Sequence, residues 1–261
     1  MRPSSTKFHQ SGFTLLELLT ALGIFLVISG AAFTLLGTSQ KRYQSDSQIL
    51  NSFQEARLGM DQMVRDINDS GYPPPNYFLT QSSTNATQYA SSPFASSPPG
   101  STCLVSNGCL SPGEFDLIVE TNIDPQNTNS VSWIRYQLVG TTLLRGISPV
   151  VPGTSYDPAS DPGLSAAMTP YVQNVMNGAP TAQLQAIYPA IFPSGTPVPI
   201  FTYTCDTSIG PRSCITVSGT PPNIRGVAIT LIVMAPVPDG QTGQPRLVQL
   251  NGRGRRINPN Q

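Results

Sequence analysis

The sequence predicts an α+β protein. One long N-terminal helix, apolar over its first half, packs its second half on an antiparallel β-sheet. Three observations predict this. From Phe13 to Leu36 the chain reads FTLLELLTALGIFLVISGAAFTLL, 24 residues with a single charge, Glu17. No proline follows before Pro73, and Ile49, Phe53, Ala56, Met60, Met63 and Ile67 step by 4, 3, 4, 3 and 4 residues along one helical stripe. Beyond residue 112 the pattern changes to short alternating runs punctuated by Gly, Pro and Asn.

Composition narrows the function classes. The chain has 261 residues, room for one domain with accessory segments. Charged residues make up 11%, and Lys+Arg and Asp+Glu balance at 14 each, so no net charge points to a polyanion. Gly 22 and Pro 26 together exceed the usual share of about 12%, which marks a loop-rich but foldable chain. The only histidine is His9, and the only lysines are Lys7 and Lys41. Without its first dozen residues the chain has no histidine and one lysine. Histidine-based triads, general acid–base catalysis and zinc sites would then be lost together. This argues against most enzymes.

Residues 1–12 are polar, with Arg2 and Lys7, and residues 13–37 form the apolar half of the helix. At ~1.5 Å per residue the apolar run exceeds the ~30 Å hydrocarbon core of a bilayer. Arg2 and Lys7 favour a cytoplasmic N-terminus, and Lys41 and Arg42 on the far side weaken that preference slightly. The run is too long for a secretory signal peptide, and Thr38-Ser39-Gln40 is a poor cleavage site. On hydropathy alone it is a signal anchor. Glu17 speaks against a plain anchor, because a carboxylate costs ~2.5–3.5 kcal/mol near mid-bilayer, less toward the interface, and so calls for a partner.

The stretch Gly12-Phe13-Thr14-Leu15-Leu16-Glu17 closely resembles the cleavage and methylation motif of type IV prepilins, a family of pilins and of secretion and DNA-uptake pseudopilins. The resemblance implies a pilin-like fold and cleavage between Gly12 and Phe13 by a membrane-embedded prepilin peptidase, followed by N-methylation of Phe13. It places Glu17 at the fifth mature position, where the family carries its glutamate. There it serves filament assembly by meeting the new amine of a neighbouring subunit. Unpaired, either buried charge would cost several kcal/mol.

Residues 38–71 continue the helix as its amphipathic half. Arg57, Asp61, Arg65 and Asp69 form an i,i+4 ladder of alternating sign beside the apolar stripe. Gly71 and Pro73-Pro74-Pro75 stop the helix. The ending MVRDINDSGY (residues 63–72) is similar to that of PilW-type minor pilins and J-type minor pseudopilins, although Asn68 stands where Arg is usual and Ser70 where Ala is common.

Residues 72–112 are a Ser/Pro-rich loop. Residues 113–250 are read as an antiparallel sheet domain with a Pro-interrupted insertion at 149–200 and a short helix around Pro170–Met176. Its strands include Phe115–Val119, a hairpin SVSWIRYQLVGTTLLRGIS turning at Gly140-Thr141-Thr142, Val227–Val233, and Leu247–Leu250. Residues 251–261, NGRGRRINPNQ, are expected to fray as a basic tail. Cys103, Cys109, Cys205 and Cys214 lie in the part expected to be exported, so disulfides are expected, paired locally as Cys103–Cys109 and Cys205–Cys214.

Other candidate chemistry has a plainer explanation. Glu114, Asp116 and Glu120 share a strand face and suggest paired carboxylates for glycoside hydrolysis, but a solvated or edge-protecting face accounts for them. Asp157 and Asp161 in YDPASDPG lack EF-hand spacing and fit a proline-framed turn better than a calcium site. Arg253, Arg255 and Arg256 are read as a solubilising tail, with phosphate contacts to nucleic acid as the alternative. Asn68-Asp69-Ser70 and Asn85-Ala86-Thr87 match the glycosylation triplet, a pattern too short to carry weight. No catalytic residue, metal or cofactor is expected.

The expectation is a structural minor pilin or pseudopilin of a type IV filament system, anchored in the inner membrane with its globular part in the periplasm. Its partners would be the prepilin peptidase, other pilins and the inner-membrane assembly platform. A tip-located adhesin or DNA-binding module on a pilin anchor is the alternative. A membrane-anchored periplasmic enzyme ranks last.

Overall fold

The structure, a computed structural model, describes residues 14–71, 93–98, 103–123, 131–150, 157–178, 180–193, 196–240 and 242–256. Helix α1 (Leu15–Asp69) runs for 55 residues. The chain divides into two units, Met1–Ser47 and Gln48–Gln261. In the first unit the described residues are helical beyond Thr14 and leave their large apolar side chains, such as Leu15, Phe25 and Phe33, exposed. By length and composition this stretch is able to cross a membrane.

The second unit contains the rest of α1 and two four-stranded sheets. Strands β1 (Asp116–Asn122), β2 (Val131–Val139), β3 (Thr142–Pro149) and β4 (Thr169–Val172) form the first in that order. Strands β5 (Phe201–Cys205), β6 (Arg212–Ser213), β7 (Ile224–Met234) and β8 (Leu247–Arg255) form the second, in the order β6-β5-β7-β8. All pairings are antiparallel. The expected hairpin is β2–β3, closed between Val139 and Thr142 with Gly140 at φ 61°. A glycine with positive φ at the first central position matches the twist that two strands need.

The helical stripe does what its spacing predicts. Ile49, Ala56, Met60, Met63 and Ile67 are buried, and the last four join a core with Leu117, Val119, Ile134, Tyr136, Ile229 and Leu231. The charge ladder does not form. Arg57, Asp61, Arg65 and Asp69 are all exposed, and none joins a salt bridge among the described residues. Solvated charges gain little from pairing, so nothing holds these side chains together. The helix ends as predicted, and Gly71 takes φ 86° while its N–H donates to the Glu120 carbonyl at 3.2 Å.

Three expectations about the rest of the domain need correction. The stretch 149–200 is no insertion. It supplies β4, the short helices α2 (Pro162–Ala167) and α3 (Ala182–Ile187), and a seam between the sheets. Around Pro170–Met176 it is not helical: Thr169–Val172 is strand β4, and the chain then bends at Asn174, with φ 58°. At the seam Val175 bridges Val233, and the fully buried Asn177 donates from Nδ2 to the carbonyls of Val198 (3.1 Å) and Thr230 (2.8 Å). Its Oδ1 accepts from Ile232 N–H at 2.8 Å, so one side-chain amide replaces a piece of sheet ladder.

The tail is not frayed through residue 256. Asn251–Arg255 complete β8 in register with β7, and Arg256 is 4% exposed. The reason is close approach: a Cβ on Gly254 would come within 2.5 Å of Ile67 Cγ2, and one on Gly252 within 2.6 Å of Met60 Sδ. The Gly-Arg-Gly run admits α1 where larger side chains would hold it off. Parts of the Ser/Pro-rich loop are also core. Phe94 is buried and bridges Val119, and Ala95 N–H donates to Ile118 at 3.0 Å. The remainder of that loop, the leader and residues 257–261 lie outside the described residues.

Candidate functional site

The start of α1 carries a reciprocal cap. Thr14 N–H and Oγ1 donate to Glu17 Oε2 at 2.9 and 3.0 Å, and Glu17 N–H donates back to Thr14 Oγ1 at 3.3 Å. This is the Thr-x-x-Glu capping box, which satisfies N–H groups that a helix start otherwise leaves unpaired. The sequence reading gave Glu17 an intermolecular role and overlooked this local one, although the Thr14–Glu17 spacing displays it. Gly12 and Phe13, the expected cleavage and methylation positions, lie outside the described residues.

Among known families, the one described as the prokaryotic N-terminal methylation motif matches residues 7–33. The N-terminal segment is thus similar to that of type IV prepilins. The match spans Gly12, Phe13 and Glu17 and stops within the exposed apolar half of α1. No curated protein and no solved structure matches the chain. The long helix and antiparallel sheets fit a pilin-like α+β fold.

Beyond the matched segment, the second half of α1 is fastened to the sheets by polar contacts that its apolar stripe did not announce. Asp66, buried within the stripe, accepts from Tyr136 Oη at 2.5 Å, Arg145 Nη2 at 2.8 Å, Arg145 Nε at 3.2 Å and Gln62 Nε2 at 2.7 Å. Arg145 also donates to Tyr136 Oη at 2.9 Å and lies against the Tyr136 and Tyr171 rings at 5.7 and 5.8 Å. Burial, and then the charge of Asp66, raise the Tyr136 phenol far above its ordinary value and keep it a donor. At the helix end, Asn68 Oδ1 accepts from Arg255 N–H at 2.8 Å, and Thr121 Oγ1 donates to the Asp69 carbonyl at 2.9 Å. One clue to Asp66 was present in the sequence. It falls three residues after Met63, on the stripe's own phase, where an unpaired carboxylate would not be tolerated.

The strand carboxylates are not a solvated face. Asp116 and Glu120 are buried, whereas Glu114 lies at the partly exposed start of the segment. Ile118, Trp133, Val131, Val150, Ala95 and Leu164 form a second small core over this side of the first sheet. Arg135 donates to Asp116 through Nη2 at 2.6 Å and Nε at 3.1 Å, and Trp133 Nε1 donates to Glu120 Oε1 at 3.1 Å. Burial raises the Asp116 carboxyl despite Arg135. Burial pushes Glu120 up to about 8, the indole N–H opposing it. Each carboxylate is occupied by a neighbouring strand, which is structural use.

Cys103 pairs with Cys109 and Cys205 with Cys214, with Cα atoms 5.0 and 4.9 Å apart. Asp157 and Asp161 cap short helices, accepting from Ala159 N–H at 3.0 Å and Gly163 N–H at 2.8 Å. No group of three or more potential metal ligands occurs among the described residues. Asn85 of the second glycosylation triplet lies outside them. Arg253 and Arg255 are exposed on β8, and Arg256, which follows it, is buried.

Proposed function

We propose that the protein is a structural minor pilin or pseudopilin. A prepilin peptidase cleaves it after Gly12, Phe13 is N-methylated, and the subunit enters a type IV filament through the first half of α1. The observation that carries this reading is a methylation motif over residues 7–33 that runs into a helix of 55 residues, apolar and exposed at its start and amphipathic beyond. In this reading the apolar half anchors the subunit in the inner membrane, with the sheet domain in the periplasm, before other pilins and the assembly platform take it up. Glu17 then meets the methylated amine of a neighbour's Phe13. The buried carboxylates and capping aspartates support a scaffold role over an enzymatic one, because each is engaged in holding the fold.

Intact-mass measurement of the membrane fraction tests the reading. The expected mass is that of a chain beginning at Phe13 with one added methyl group. Replacing Gly12 with leucine leaves the leader attached. A wild-type protein that still begins at Met1 in cells with an active prepilin peptidase overturns it.

A further inference from the structure

β8 forms an edge of the second sheet, and the ladder fixes which of its groups point outward. Ala235 N–H donates to the Arg246 carbonyl at 2.8 Å, and pairing continues without a register shift from Met234–Leu247 to Gly226–Arg255. Bonded and non-bonded positions alternate in an antiparallel pair. Val248, Leu250, Gly252 and Gly254 therefore bond β7, while Leu247, Gln249, Asn251, Arg253 and Arg255 turn N–H and C=O away from it. The Arg255 N–H reports this parity by donating to Asn68. No described residue bonds the backbone of Gln249, Asn251 or Arg253, and all three are exposed.

Other sheet edges are blunted in ways this one is not. The free side of β1 is taken by Pro93 and Ala95, β6 has two residues, and β4 has four. β8 has nine residues, no proline and no bulge, which makes it a template for strand addition. Its charge is one-sided. The four strands of this sheet contain Arg212, Arg225, Arg253 and Arg255 and no acidic residue.

We infer that the outer edge of β8 docks an extended segment of another protein, added as a further strand with carboxylate side chains at alternate positions facing Arg253 and Arg255. Strand addition uses both the N–H and the C=O groups of the edge, and the side chains set the choice of partner. A nucleic-acid phosphate would use the arginines but meet the outward carbonyls of Gln249, Asn251 and Arg253 as repulsive dipoles. A second copy of β8 would bring more arginines and no acid to the same ladder.

The test uses the full chain in detergent micelles and a capped peptide of alternating Glu and Val, followed by residue-resolved amide exchange. The peptide is expected to slow exchange at Gln249, Asn251 and Arg253 about tenfold or more, leaving Val248, Leu250 and Gly252 unchanged. The same peptide N-methylated at alternate amides should lose this effect. Asn251→Pro removes one outward donor without touching the β7 ladder, and should abolish binding. Arg253→Glu with Arg255→Glu should shift the preference to a Lys-Val peptide. Equal binding of the N-methylated peptide, or no slowing at millimolar peptide, overturns the inference. So does inorganic polyphosphate binding equally to wild type and Asn251→Pro while the peptide fails, which would mark a plain anion patch. None of these readouts depends on N-terminal processing, so their failure leaves the filament reading intact.

Discussion

Glu17 and Asp66 are carboxylates on the same helix in opposite surroundings. Asp66 has every need met inside the chain: a phenol, a guanidinium and an amide surround it in the core. Glu17 is exposed, and among the described residues its carboxylate bonds Thr14 alone, three residues away. The difference separates two uses of one helix. The Asp66 half is part of a finished fold. The Glu17 half presents exposed apolar side chains and a carboxylate that, among the described residues, bonds Thr14; in the reading proposed above, its further partners are the membrane and neighbouring subunits.

The largest effect that tests this contrast is at Asp66. Asp66→Ala leaves Arg145 without its carboxylate and Tyr136 without an acceptor, and is expected to cost ~3–5 kcal/mol. For a domain of this size that lowers Tm by roughly 10 °C or more, read by circular dichroism of the full chain in detergent. A loss under about 1 kcal/mol would show that the clamp is not what fastens the helix.

Next comes the pH dependence at Glu120. Its folded value lies near 8, above the unfolded 4.5, so the folded state holds a proton that the unfolded state has already lost. Its contribution to stability is complete below about pH 4.5 and is lost as pH rises toward 8, by a few kcal/mol in all. Asp116, also raised by burial, adds a slope of the same sign. The diagnostic is therefore the difference between wild type and Glu120→Gln, whose amide still accepts from Trp133 and does not ionise. Denaturant titrations from pH 5 to 8 should give the flatter profile for the variant. Parallel profiles would place the pH dependence elsewhere.

The smallest effect on stability, and the sharpest on function, is at Glu17. Glu17→Ala and Glu17→Gln should each leave the unfolding of the sheet domain within about 0.5 kcal/mol of wild type. Their value lies in separating the cap from the charge. Glutamine preserves the capping box, which accepts Gln as well as Glu, but supplies no counter-charge. If the charge sets assembly, both variants are processed normally and both are depleted from sheared filaments. If only the cap matters, Glu17→Gln assembles like wild type and Glu17→Ala alone fails.

The membrane-length run, the Gly12–Glu17 motif, the apolar stripe and the β2–β3 hairpin were legible because each is written in local spacing. Periodicity and turn chemistry depend on neighbours a few residues apart, and the sequence contains those neighbours. Cysteine pairing was legible for the same reason, since both loops are short. Asp116, Glu120 and Asn177 were not legible as buried groups, and Asp66 showed its burial only by its phase on the stripe, not its partners. Their partners Arg135, Trp133, Arg145 and the Val198 and Thr230 carbonyls come from separate elements, and a polar residue reads as solvated until its partner is placed.

The NGRGR run shows the limit most clearly. Its asparagine and glycines have poor strand propensity, and alone they describe a loose tail. In the fold they become the last strand, because the absent side chains of Gly252 and Gly254 are what Met60 and Ile67 require, and because β7 offers a complete ladder. The sequence by itself determined the methylation motif and the long helix that follows it, since those signals are set by residues within a turn or two. Only the tertiary structure decided which polar groups go inside and where the sheet ends. Burial and strand pairing are settled by residues distant in the chain, and local propensity yields to them.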